Sequence, residues 1–375
     1  MPRFAYGGQA LIEGVLMRGR DAIAVAVRHP SGMIVWEAQR LDESPVHRHR
    51  ISRWPLVRGL VVLYETLVIG TRWLMRSAAI SASGEGIELG TGAVALTLTL
   101  SLVFAVGLFF VLPLILAQMA SSATSVGGGS LGQHILEGVI RLAVFLAYLW
   151  VVGRSSEISR VFQYHGAEHM SIHALEAGDP LTPEAVRKYP TAHQRCGTEF
   201  LLVVVVVSIF AFSLLAGQSL LVAIAGRIAL IPVIVAISYE VLRWGARHRG
   251  NPLVHWIFLP GIWLQMLTTR QPDDTMIEVA IVSLEEALVA DGESIPEGSL
   301  EPERWPMAEA SALPIPGEAA LHEGDPLHDA GTRAAAGPEV GAAPGAAAPE
   351  VAVVPGSRAA VGEPPIQGDL PEARP

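Results

Sequence analysis

Cysteine is almost absent: Cys196 stands alone among 375 residues, so no disulfide can form within the chain and one thiol is left for other chemistry. Charge is scarce too. Asp, Glu, Lys and Arg make up 17% of the residues against 51% hydrophobic, with a mean hydropathy of +0.41. Soluble domains carry about 25% charged residues, so this composition points away from that class and toward an integral membrane protein. The chain has no glycine-rich phosphate loop and no internal repeat. Its first residues hold no apolar run ahead of a small-residue cleavage site, so no signal peptide is expected. The net charge of -10 hides two opposite halves, because acids crowd the last quarter and arginine dominates the first two thirds. No nucleic-acid partner is expected.

Four segments approach the ~20 apolar residues that a bilayer core requires of a helix: 94–117, 135–152, 200–216 and 220–237. Arg141 falls in the second and Arg227 in the fourth, where a mid-membrane charge costs about 2.5–3.5 kcal/mol on insertion scales. Glu137, one turn before Arg141, offers that residue a local pair. Arg227 has no such neighbour on its own helix, and an arginine inside a span is a functional-site hypothesis by default. Lys and Arg are missing from 118–134 and from 217–219, which assigns those connections to the outside. Arg72 and Arg76, the basic residues of 153–199, and Arg243, Arg247 and Arg249 assign the other side to the cytoplasm. The expected protein is therefore mainly α, sits in a bacterial cytoplasmic (inner) membrane with the lipid bilayer as partner, crosses it about four times, and keeps both termini cytoplasmic.

The remaining segments divide by pattern. Residues 1–54 form a small cytoplasmic α+β part, with a β-hairpin in "DAIAVAVRHPSGMIVWEAQR" turning at His29, Pro30, Ser31 and Gly32. Residues 55–80 show helical spacing interrupted by Arg58, Glu65, Arg72 and Arg76, as in an amphipathic or re-entrant helix. The paired spans 94–152 and 200–238 flank a long cytoplasmic connection, 153–199. In 239–286 an interfacial helix carries Trp256 and Trp263, with Pro260-Gly261 breaking it too early for a span. Residues 287–375, an acidic Ala/Pro/Gly-rich tail, lack the bulky apolar side chains needed to offset chain entropy; disorder is expected there, with room to tether a protein partner.

Chemistry concentrates in 153–199. Gly178 and Pro180 stop a helix that carries "YHGAEHMSIHALEA" and ends near Ala177. At about 100° per residue, His165, His169 and Glu176 fall within roughly 40° of each other, with His173 to one side and Glu168 to the other. His165, Glu168 and His169 form an H-x-x-E-H pattern, in which imidazoles one turn apart hold zinc and the glutamate activates water. His193 and Cys196 add an H-x-x-C pair in "HQRCGTEF". Thr182 and Pro183 open a short helix in "LTPEAVRKYP" that can fold this pair back over the histidine face. Near the N-terminus, Gln9, Glu13 and Arg18 are polar groups among apolar neighbours in "YGGQALIEGVLMRG". They are candidates to contact substrate, with Arg18 suited to a carboxylate or phosphate.

Together "YGGQALIEGVLMRG", "YHGAEH", "LEAGDPLTPEAV", "HQRCGTEF" and "PGIWLQMLTTRQPDD" resemble the YqhQ-like family of bacterial membrane proteins, a domain-of-unknown-function group described as predicted metal-dependent enzymes. The resemblance covers about Tyr6 to Val282. It implies a multi-span inner-membrane protein and singles out His165, Glu168, His169, Glu176, His193 and Cys196. The expected function is a zinc-dependent (or other divalent-metal) membrane-embedded hydrolase. In it His165 and His169 bind the metal with a third ligand from Glu176, His193 or Cys196, and Glu168 is the catalytic base. The alternative is a membrane scaffold or assembly factor pinned by a structural zinc site; a transporter using the two arginines ranks last.

Overall fold

A computed structural model describes residues 4, 6–41, 54, 56–83, 91–123, 130–193, 196–215, 218–248 and 251–312. They belong to one compact unit, Met1–Leu321; a second, His322–Pro375, lies outside them, as do Pro55, Arg195, Gly217 and Arg249.

Four antiparallel strands open the chain: β1 (Gly7–Leu11), β2 (Gly14–Arg18), β3 (Ala22–Arg28) and β4 (Ile34–Arg40). The predicted hairpin is β3–β4, paired from Ala22↔Arg40 to Arg28↔Ile34, with Gly32 at φ 89° in its turn. The sheet is larger than one hairpin. β1 and β2 form another, closed by Ile12 and by Glu13 at φ 53°, an uncommon conformation for a residue with a side chain. Arg160 holds the Glu13 carboxylate from both of its oxygens, at 2.6 and 2.5 Å, which fixes that turn against a helix.

β3 is buried on both faces, hence its unbroken apolar run. On one face Ile23, Val25 and Val27 pack against Trp73, Ile69 and Leu74 of α1 (Val57–Ala82). On the other, Ala24, Ala26, Val15 and Met17 meet α5 (Ser156–Ala177) and α10 (Asp274–Ala290). α10 is buried almost all round, its Glu285 and Glu286 included, as a helix covered on nearly every side. Its only hydroxyl well inside the core, that of Ser283, donates to Val15 O and Ala24 O at 3.0 and 3.1 Å. Order continues past the boundary expected at residue 287. Asp291 accepts from Tyr6 Oη and from the backbone of Arg20 and Asp21, and β5 (Arg304–Pro306) adds to β4 in parallel. The expected disordered tail beyond residue 312 lies outside the described residues.

This C-terminal return carries a buried charge cluster. Arg304 donates to Glu285 at 2.6 Å and pairs with Glu286 at 3.0 Å. Burial pushes the Glu285 carboxyl up from 4.5 to about 7, opposed by Arg304. Between those values the folded chain holds a proton that the unfolded chain has released, so this group's contribution to stability is full below pH 4.5 and falls as pH rises through 7. Unfolding midpoints measured from pH 5 to 7.5 should decline, and Glu285→Gln should flatten that decline; an unchanged slope in the variant would remove Glu285 as its source.

Among the described residues, three helices are long and apolar enough to cross a membrane: Ala95–Ser122, Ile135–Val152 and Leu221–Gly245. They lie in α2 (Thr91–Val106) with α3 (Leu112–Ala123), in α4 (Ser130–Val152), and in α8 (Leu220–Arg247). A π-helical turn, Gly107–Val111, joins α2 to α3. Four such helices were expected. The third candidate, α7 (Thr198–Ser213), has 16 residues and reaches about 24 Å against a hydrocarbon core of about 30 Å. α9 (Pro252–Thr268) starts on an Asn251 cap and continues through Pro260, where a break was expected. Gly261 lets it close on α7: a Cβ there would meet Glu199 Cγ at 2.6 Å. Leu100, Leu102, Val139, Trp150 and Leu221 are exposed along the outer faces of the long helices.

Arg141 finds its predicted partner, Glu137, at 2.5 Å. Arg227 is paired as well, across helices: both Glu137 oxygens accept from it, at 2.7 and 2.6 Å. Arg141 also donates to Phe109 O of the π-helical turn and to Ser208 Oγ. The Phe212 ring lies 4.8 Å from one guanidinium and 5.0 Å from the other.

Candidate functional site

α5 carries His165, Glu168, His169, His173 and Glu176, and it ends at Ala177 as expected. Ser155 is extended at the N-cap, and Gly178 closes the helix in the left-handed conformation at φ 79°. The chain then turns into α6 (Pro183–Val186), whose first turn is capped by Thr182 accepting from Ala185 N at 3.2 Å. This return brings 189–193 beside α5. The C-terminal end of α9 closes the site from another direction, with Gln265 gripping the His193 backbone at both N (2.8 Å) and O (2.9 Å).

Backbone carbonyls orient the imidazoles. Thr268 O receives His165 Nδ1–H at 2.8 Å, and Thr191 O receives His169 Nδ1–H at 2.6 Å. A carbonyl can only accept, so each Nδ1 keeps its proton and each Nε2 keeps a lone pair, the arrangement found where histidine binds metal. His165 Nε2 lies 3.2 Å from Cys196 Sγ, which also receives the Thr198 hydroxyl at 3.2 Å. Burial pushes the Cys196 thiol up to about 12 and His169 down to about 2, so both are neutral in the metal-free protein.

The predicted ligands separate into two groups. His165, His169 and Cys196 form one; His173, Glu176 and His193 form the other; within each, the donor atoms all lie within 4.8 Å of one another. Imidazole, thiolate and carboxylate are zinc donors, so each set has the donor types for one divalent ion. His173, not named as a ligand from sequence, sits four residues after His169 and three before Glu176, a spacing that carries the signal.

Glu168 is buried beside the first group, and its carboxylate accepts from Gly8 N–H of β1. Burial pushes it up to about 6, offset by His165 and by that hydrogen bond. Gly8 permits the approach of strand to helix, because a Cβ there would meet Leu16 O at 2.2 Å and Glu168 Cδ at 3.1 Å. A cavity of about 360 Å³ opens at this contact. Gly8, which contacts Glu168, and Gly197, next to Cys196 in sequence, form part of its wall together with Gln9, Arg18 and Thr66. Of the three proposed substrate contacts, Gln9 and Arg18 thus face this cavity. Glu13 is not among its lining residues; Arg160 and Tyr164 occupy its carboxylate.

The family described as a protein of unknown function, DUF1385, matches residues 54–290, which run from the start of α1 to the end of α10 and include every ligand candidate. The chain belongs to this family. The protein titled "Uncharacterized protein YqhQ" from Bacillus subtilis (strain 168) is 32% identical to this chain over 300 residues, covering 76% of this chain and 92% of that protein. The resemblance carried by the sequence motifs and this similarity agree. No solved structure matches the chain.

Proposed function

We propose that this chain is a metal-dependent hydrolase embedded in a bacterial inner membrane. The observation that carries the reading is the pair of Nδ1–H···O=C bonds that leave His165 and His169 presenting Nε2 beside the Cys196 thiol. Two imidazoles and one thiolate leave a tetrahedral ion one exchangeable position, as in catalytic rather than structural zinc sites. A divalent ion held there supplies Lewis acidity toward a carbonyl or phosphoryl group and acidifies water.

The rest of the chemistry belongs to the chain. Glu168, with its carboxyl near 6, is deprotonated for the most part at neutral pH yet basic enough to take a proton from water and return it to a leaving group. Gly8 N–H holds the carboxylate in place during that exchange. Arg18 at the cavity wall selects an anionic group on the substrate, and Gln9 orients it. A peptide, amide or lipid headgroup reaching the site from the cytoplasm meets these requirements.

Membrane insertion is supported by the three long apolar helices and their exposed outer faces, which form a larger apolar surface than water tolerates. α7 and α8 form the second hairpin of the bundle, α7 spanning a locally thinned bilayer, and both chain ends remain cytoplasmic with the basic residues.

Metal analysis of detergent-purified protein tests the reading. The wild type is expected to retain zinc or another divalent metal, and His169→Ala and Cys196→Ala are each expected to lose an equivalent of it while keeping wild-type helix content. A wild type without metal after anaerobic reconstitution, or variants that keep its full content, would overturn the metal site and the hydrolase with it.

A further inference from the structure

The second ligand group has no task in the mechanism above. His173 Nε2–H donates to Ala192 O at 3.0 Å, which leaves Nδ1 with its lone pair, and the ring stacks on Tyr189 at an interplanar angle of 9°. His193 Nε2 lies 3.4 Å from Glu176 Oε2, and Gln265 fixes the His193 backbone. His173 is therefore held by a carbonyl that leaves its other nitrogen for a ligand, the support that also orients His165 and His169, while the His193 main chain is fixed and its ring meets Glu176.

Among the described residues the donors fall into two separate triads, so an ion held by the first leaves the second unused. Yet the triads are neighbours. Ring centroids are 4.4 Å apart for His165 and His169, 5.7 Å for His169 and His193, and 4.4 Å for His193 and His173, so the four imidazoles form a continuous row. We propose that His173, Glu176 and His193 bind a second divalent cation beside the first, making the centre dinuclear; the proposal rests on the metal-binding reading of the first triad. The donor chemistry separates the two positions. A thiolate in the first favours zinc, whereas a carboxylate with two imidazoles in the second also accepts manganese, iron or cobalt. Deprotonated Cys196 and Glu176 each contribute one negative charge, so each cation has its own anionic ligand and the pair is not forced to share one.

The test counts metal per full-length chain after loading with cobalt(II) and desalting, and reads the thiolate-to-cobalt absorption band contributed by Cys196. Wild type is expected to hold two equivalents and show the band. Glu176→Gln and His173→Ala, two independent variants checked for helix content, are each expected to hold one equivalent with the band retained; Cys196→Ser is expected to lose the band and keep an equivalent. One equivalent in the wild type with the band present, unchanged in Glu176→Gln, would overturn the second position and leave the first standing. No metal in the wild type would overturn both.

Discussion

Glu137→Gln is expected to destabilise the helical bundle by about 3–5 kcal/mol, the cost of breaking a buried ion pair from one side. The reason is a count of charges. Glu137 is the one carboxylate between two guanidiniums, all three nearly solvent-free, and both of its oxygens serve Arg227 while one also serves Arg141. The amide keeps the shape, removes the negative charge, and leaves two buried cations facing each other across Phe212. Ser208 Oγ and Phe109 O still satisfy two Arg141 donors but carry no charge to offset. Removing all three charges together, as Glu137→Leu, Arg141→Leu and Arg227→Met, is expected to cost far less than the single change, because no uncompensated charge remains. Thermal unfolding in detergent separates the cases; a Glu137→Gln midpoint equal to wild type would show that water or lipid headgroups reach the pair.

Glu168→Gln is expected to lower turnover by about 10²–10⁴-fold, or about 2.7–5.5 kcal/mol of barrier, while the metal content stays at the wild-type level. The amide is isosteric and still accepts the Gly8 N–H bond, so the strand-to-helix contact survives. Only the ability to take a proton is lost. The comparison is read with whichever amide, ester or phosphoester the purified wild type hydrolyses, against metal content measured on the same samples. A variant that keeps both metal and full biological function would favour the structural-zinc scaffold over the hydrolase, since a scaffold needs Glu168 only as a packing group.

Much of the site was legible because it is local. The Gly178 stop, the Thr182 cap and the ligand spacings on α5 depend on residues within a turn or two of each other, and local sterics and hydrogen bonds decide them. The β3–β4 hairpin was legible for the same reason. The β1–β2 hairpin was not, because its turn has no Asn-Gly or Asp-Gly pair; Glu13 takes the left-handed position and is secured by Arg160, 147 residues away in sequence. α10 is not marked off from its neighbours in sequence, since a helix that buries its apolar residues and Glu285 and Glu286 alike has no polar face to show where it packs.

The sequence by itself determined that this chain is rich in membrane-length helices, that one polar helix bears histidines and glutamates at ligand spacing, and that one thiol stands nearby. These follow from composition and from periods of a few residues. Tertiary structure alone decided that the ligands fall into two triads rather than one, that His173 belongs to the second, that Glu137 joins Arg227 to Arg141, and that β1 delivers Gly8 to Glu168. Each of these is a distance between segments far apart in the chain, set by which apolar faces bury each other, and no local spacing encodes it.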